Sequence, residues 1–219
     1  MRNVRKVNVG GLVLGGKKIY IQSMLNVPST DIKGSVNQAK RLEAAGCEII
    51  RVAIPDMDAV KLIPAIKKEI SIPLVADIHF DYRLAIASAD AGVDKIRINP
   101  GNIGSRERVR AVVDKCKSKK IPIRIGVNSG SLEKEILNKY GTPCADALVE
   151  SALRHVRILE ELDFYDTVIS IKSSNVKTMV ESYRKLSSVC DYPLHLGVTE
   201  AGTERMGLIK SAVGIGSLL

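Results

Sequence analysis

Short apolar runs recur along the chain. A proline or a glycine-containing turn precedes each, and a longer stretch follows in which apolar residues return every three or four positions. The runs occupy residues 19–24, 47–54, 74–79, 95–99, 123–128, 167–172 and 194–199; the amphipathic stretches occupy 31–45, 56–70, 81–91, 105–120, 145–162 and 175–189. Alternation of strand-like and helix-like segments without a break in composition predicts seven parallel β/α units. Asp31, Asp81 and Ser105 stand where N-caps are expected and Gly46 and Gly92 where helices end, while Lys117, Lys119 and Lys120 occupy a helix C-terminus whose dipole favours cations. Ahead of the first run, the glycine-punctuated residues 7–16 predict a hairpin, within a segment 1–18 that closes the bottom of a barrel.

Side-chain parity chooses between the two architectures such units can build. Ile50, Val52 and Ile54 share one face of their run, Leu74, Ala76 and Ile78 one face of the next, and the same holds for Ile96 with Ile98, Ile123 with Ile125, Ile169 with Ile171 and Leu194 with Leu196. The opposite faces turn polar toward the C-terminal ends, with Arg51, Asp77, His79, Arg97, Asn99, Arg124, Asn128, Ser170, Lys172, His195 and Thr199. An open sheet covered by helices on both sides would be apolar on both faces. One apolar face and one polar mouth describe a TIM-type (β/α)8 barrel. The expectation is therefore an α/β fold in which residues 19–219 supply seven of the eight units.

In the inferred mouth, the cations Arg51, Arg97, Arg124 and Lys172 face only two carboxylates, Asp77 and Glu200, the latter just beyond the seventh run. Gln22 projects inward from the first run. Enclosed positive charge is costly unless an anion neutralises it, and three guanidinium forks plus an ammonium suit a small diphosphate. A single inward arginine is more often a structural partner for a barrel acid, but four cations on four strands favour a ligand site. Pro100-Gly101-Asn102-Ile103-Gly104-Ser105 could bring backbone N–H groups to an anion or simply turn the chain. His79 and His195 read equally well as hydrogen-bonded interior groups or as catalysts, and Glu200 as a helix-capping acid or a general acid/base.

Composition narrows the partners. The chain has 219 residues and a formal charge of +9, yet only two Phe, six Tyr and no Trp, so it lacks the aromatic platforms that single-stranded nucleic acid needs beside its cations. The basic helix face at Arg106, Arg108 and Arg110 reads as solvated surface, and no nucleic-acid partner is expected. Cys47, Cys116, Cys144 and Cys190 are scattered without any C-x-x-C, which points to a reduced, cytoplasmic protein and to no metal site. The basic start is followed by apolar residues interrupted by Asn8, Gly10 and Gly11, which fits neither a signal peptide nor a membrane span.

Four stretches carry a resemblance: Val75-Ala-Asp-Ile-His-Phe-Asp-Tyr-Arg-Leu-Ala-Ile86, Arg97-Ile-Asn-Pro-Gly-Asn-Ile-Gly104, Ile121-Pro-Ile-Arg-Ile-Gly-Val-Asn-Ser-Gly-Ser-Leu-Glu-Lys134 and His195-Leu-Gly-Val-Thr-Glu-Ala-Gly202. They resemble the N-terminal barrel of the 4-hydroxy-3-methylbut-2-enyl diphosphate synthases. The resemblance implies an oxidoreductase of the non-mevalonate isoprenoid pathway that opens the ring of 2-C-methyl-D-erythritol 2,4-cyclodiphosphate reductively. It implies that Arg51, Arg97, Arg124 and Lys172 grip the diphosphate, that Asn99 and Asn128 add hydrogen bonds, that Asp77 and His79 line the mouth, and that Glu200 is the acid/base. It further implies a 4Fe-4S cluster in a C-terminal domain absent from this chain, flavodoxin or ferredoxin as electron donor, a homodimer, and a barrel without activity alone. Leu25 and Val27 stand where that family usually carries threonines. A transferase barrel like dihydropteroate synthase, or a non-catalytic anion-binding barrel, are the alternatives.

Overall fold

The computed structural model describes residues 3–219; Met1 and Arg2, at the start of the expected hairpin segment, lie outside the described residues. The hairpin pairs β1 (Val7–Val9) with β2 (Leu12–Leu14) antiparallel and turns at Gly10 and Gly11, whose φ of +54° and +94° favour residues without a Cβ. Val7 and Val9 pack with Leu14 against Val168, forming a small apolar cluster of their own.

Six strands then form one parallel sheet in sequence order: β3 (Gln22–Met24), β4 (Ile49–Ala53), β5 (Leu74–Asp77), β6 (Lys95–Ile98), β7 (Ile123–Asn128) and β8 (Thr167–Lys172). The sheet curls into a partial barrel whose outer face packs on helices. Ile50, Val52, Ile54, Leu74, Ala76, Ile78, Ile96, Ile98, Ile123, Ile125, Ile169 and Ile171 are all buried there in the main core. The helices are α1 (Ile32–Ala44), α2 (Leu62–Lys67), α3 (Tyr82–Asp90), α4 (Pro100–Ile103), α5 (Arg106–Lys119), α6 (Lys134–Tyr140), α7 (Ala145–Glu160), α8 (Val176–Val189) and α9 (Glu204–Gly216). The Asp31 and Asp81 carboxylates accept from the Gly34 and Arg83 amides as N-caps, whereas Ser105 occupies its cap position without a side-chain bond to the helix's amides.

Two expectations need correction. The helix expected over residues 56–70 is a 3-10 turn (Asp58–Lys61) running into the short α2, which carries Pro64 in its first turn. The seventh strand, expected over 194–199, is reduced to one parallel bridge between Ile169 and Leu194, supported by the His195 amide donating to the Ile169 carbonyl at 2.8 Å. Gly197 lies in the middle of the run, and a glycine weakens a strand that pairs along one side. Leu25, at the altered loop after β3, is buried in the core.

Candidate functional site

Register builds the site. Asp77 on β5 is the cross-strand partner of Arg97 on β6, and Arg97 of Arg124 on β7, so three charged side chains lie next to one another on the inner face. One step toward the mouth Gly126 pairs with Ser170, and beyond it Asn128 with Lys172. A cavity of about 100 Å³ opens at this level, lined by Arg51, Asp77, His79, Arg97, Arg124, Gly126, Asn128, Ser170, Lys172 and Thr199. The structure thus brings together seven of the expected site residues: Arg51, Asp77, His79, Arg97, Arg124, Asn128 and Lys172.

Asp77 organises the cations. Arg97 Nη1 donates to its Oδ1 at 3.0 Å, while Arg51 Nε and His79 Nε2 each lie 3.6 Å from Oδ2. Burial pushes the Asp77 carboxyl up, but Arg97, Arg51, His79 and Arg124 together outweigh it and hold it below the ordinary carboxylate value. The cations carry the opposite stress. Burial, reinforced by Arg51 and Arg97, pulls Arg124 down to about 9, and burial with the three arginines pulls Lys172 down to about 7. Arg97 Nε and Arg124 Nε and Nη1 are buried and have no hydrogen-bond partner among the described residues. Buried donors of this kind are normally satisfied, so their natural complement is an oxygen-rich anion.

Gly126 is the contributor that sequence reasoning missed. A Cβ there would stand 2.6 Å from Arg97 Nε and 2.9 Å from Nη2, so the glycine is the space into which that guanidinium folds. Its signal was a glycine at inward parity within an apolar strand, two residues after the inward Arg124.

Other expected residues fall elsewhere. Asn99 is buried, but its Oδ1 accepts from the Gly101 amide at 3.0 Å and caps α4, outside the cavity lining. Glu200 is exposed in the loop before α9, with φ +49°, beside the cavity-lining Thr199 but not itself in the lining. Gln22 and His195 line a separate opening of about 690 Å³ on the barrel's side. There Gln22 Oε1 lies 3.4 Å from the ammonium of Lys95, which burial pulls down to about 7, and burial beside Arg124 and Lys172 drives His195 well below the usual imidazole value.

Among the described residues no three His, Cys, Asp or Glu side chains gather as a metal-binding group. Cys47 and Cys116 are buried, and Cys144 and Cys190 are half-buried. Among the described residues no helix is long and apolar enough to cross a membrane.

Comparison with known proteins bears on the family and the fold. The chain is 64% identical over its whole length to the 4-hydroxy-3-methylbut-2-en-1-yl diphosphate synthase (flavodoxin) of Clostridium perfringens, covering 63% of that protein. It is 61% identical, again over its whole length, to the Fusobacterium nucleatum protein of the same name, covering 62%. It therefore spans about three fifths of the curated relatives it matches. Among solved structures, a dihydropteroate synthase of Xanthomonas albilineans superposes with a TM-score of 0.67 at 14% identity, covering 96% of this chain and 87% of the other. A 3-dehydroquinate dehydratase of Geobacillus kaustophilus superposes with a TM-score of 0.69 at 13% identity, covering 95% and 83%. These low identities speak for the barrel fold alone, including the likeness to dihydropteroate synthase that the sequence left open. Residues 4–219 match the GcpE TIM-barrel domain, and the chain belongs to that family.

Proposed function

We propose that residues 19–219, stoppered by the hairpin segment 1–18, are the substrate-binding barrel of a cytoplasmic oxidoreductase. The enzyme forms 4-hydroxy-3-methylbut-2-enyl diphosphate, the product in its relatives' names, and its substrate in this reading is the 2-C-methyl-D-erythritol 2,4-cyclodiphosphate of isoprenoid biosynthesis that the motif resemblance implies. The observation that carries the reading is the inward cluster of Arg51, Arg97, Arg124 and Lys172 around Asp77, with guanidinium N–H groups left unpartnered among the described residues. In this reading those four cations hold the diphosphate. Asn128 adds a polar contact, Asp77 orients the Arg97 and Arg51 guanidinium groups, and His79, against Asp77, lines the mouth with it. Asn99 supports the site by capping α4. Glu200, at the rim, handles the proton as the ring opens and a hydroxyl leaves as water.

The reaction consumes two electrons, which side chains cannot supply. A 4Fe-4S cluster would supply them, but the residues of this chain do not fit it: their thiols are dispersed and no metal-ligand group forms among the described residues. What this chain contributes is binding and proton handling. Flavodoxin, which the relatives' names carry, is the electron donor in this reading, with ferredoxin the other candidate, and the full enzyme is a homodimer.

Titration calorimetry with the cyclic diphosphate tests the reading. The protein should bind it and Arg97→Ala should abolish binding; a wild-type protein that ignores the cyclic diphosphate or binds pterins instead would sink the assignment. Turnover by Glu200→Gln in the longer enzyme tests the proton role, and near-normal turnover would remove it.

A further inference from the structure

Behind the mouth lies a polar cluster that the site above does not use. His155, on α7, is 2% exposed, and its Nε2 lies 2.8 Å from Glu133 Oε1. Glu133 is the N-cap residue of α6, in the loop that follows β7, and its other oxygen accepts from the Ser151 hydroxyl of α7 at 2.8 Å. Burial pushes the Glu133 carboxyl up, yet His155, its own backbone and Ser151 pull it down to about 2, so it stays ionised. On the other side the imidazole presses on the loop that follows β6: a Cβ on Gly101 would stand 2.8 Å from His155 Cε1. Gly101 in turn donates its amide to Asn99. Neither ring nitrogen of His155 has a well-aligned hydrogen bond among the described residues, so the close charge contact of Nε2 with the Glu133 carboxylate is the ring's one polar anchor among them.

We propose that Glu133, Ser151 and His155 form a positioning clamp that holds the βα loop after β6 against the βα loop after β7, and so fixes the ends of the two strands that carry Arg97 and Arg124. The two loops rim a mouth whose guanidinium groups must be in place before an anion arrives, and buried groups behind a binding shell set that geometry. Only glycine at 101 lets the ring approach the α4 backbone, and only a carboxylate at 133, with one oxygen on the ring and the other on the Ser151 hydroxyl, keeps the ring there. The clamp rests on the proposed diphosphate site for its ligand but not for its existence.

Two readouts test it, one of which needs no ligand. In Glu133→Gln, amide hydrogen exchange at residues 101–103 should rise about tenfold and affinity for inorganic diphosphate should fall by a similar factor, as misplaced binding groups do. The melting temperature should drop by less than about 4 °C. His155→Ala should behave likewise, and His155→Gln, whose amide nitrogen reaches the place of Nε2, should recover most of the affinity. Unchanged exchange at 101–103 in both Glu133→Gln and His155→Ala would overturn the clamp. So would a large loss of stability with wild-type affinity in the folded fraction, since the cluster would then be packing alone. A wild-type protein that ignores inorganic diphosphate would overturn the ligand reading, while exchange still decides the clamp.

Discussion

Arg97 and Arg124 are direct cross-strand partners on β6 and β7, both pointing inward, with only Arg97 in a hydrogen bond to Asp77. Like charges placed opposite one another oppose folding, and Arg124 is 1% exposed. The pair makes sense as a binding surface that the fold tolerates.

Arg124→Met should therefore raise stability, by about 1–4 kcal/mol as when buried charges give way to apolar side chains of similar size. The same change should remove diphosphate binding. Urea unfolding and calorimetry on one sample check both; a destabilised Arg124→Met would mean that the guanidinium holds the barrel together.

Asp77→Asn should do the reverse. It leaves Arg51 and Arg97 without their carboxylate, and breaking a buried pair costs about 3 kcal/mol or more. Inorganic diphosphate, which brings negative charge to the same donors, should restore more stability to Asp77→Asn than it adds to the wild type. Thermal melts with and without the anion compare the two; equal shifts would separate Asp77 from the ligand's donors.

Lys172 sets a pH dependence. Held at about 7, it is largely neutral at pH 8 without ligand, and a bound diphosphate pulls its proton affinity back up. Binding at pH 8 should take up about one proton, falling toward none at pH 6 where the ammonium is already formed. Calorimetry in buffers of different ionisation enthalpy measures this, and Lys172→Met should lose the uptake. Without ligand the sign is also fixed: between pH 7 and the ordinary lysine value the unfolded chain binds more protons at Lys172 and Lys95, so those two groups make stability rise with pH over that window.

Gly126→Ala places a methyl 2.6 Å from Arg97 Nε. The obstructing atoms are the far end of a flexible side chain, so the fold should survive with little change in melting temperature. Diphosphate affinity should fall about tenfold or more because the guanidinium has to move. Wild-type affinity would show that Arg97 is not held where the ligand needs it.

Parity along the strands carried most of the site before any coordinates. Arg51, Asp77, Arg97, Arg124, Asn128 and Lys172 all follow from alternation plus burial, because a strand has only two faces. Asn99 obeys parity too, yet its short side chain turns back to cap α4, a local hydrogen bond that competes with the inward direction parity assigns. The 194–199 run alternates like a strand, but a ladder needs a neighbour at each position, and pairing is invisible in one segment's own residues. His155 escaped notice for a related reason. On α7 it reads as one polar residue of an amphipathic helix, and its partners Glu133 and Gly101 are brought to it only by two separate loops.

The hairpin at the other end of the barrel has a consequence for how fast a ligand arrives. By packing Val7 and Val9 on Val168 at the start of β8, it puts apolar matter behind the cations. Low-dielectric walls on one side send the field of the buried cations outward through the mouth. An anion approaching in solution would then be steered toward the strands' C-terminal ends, and its capture rate would fall with added salt more steeply than its release rate changes.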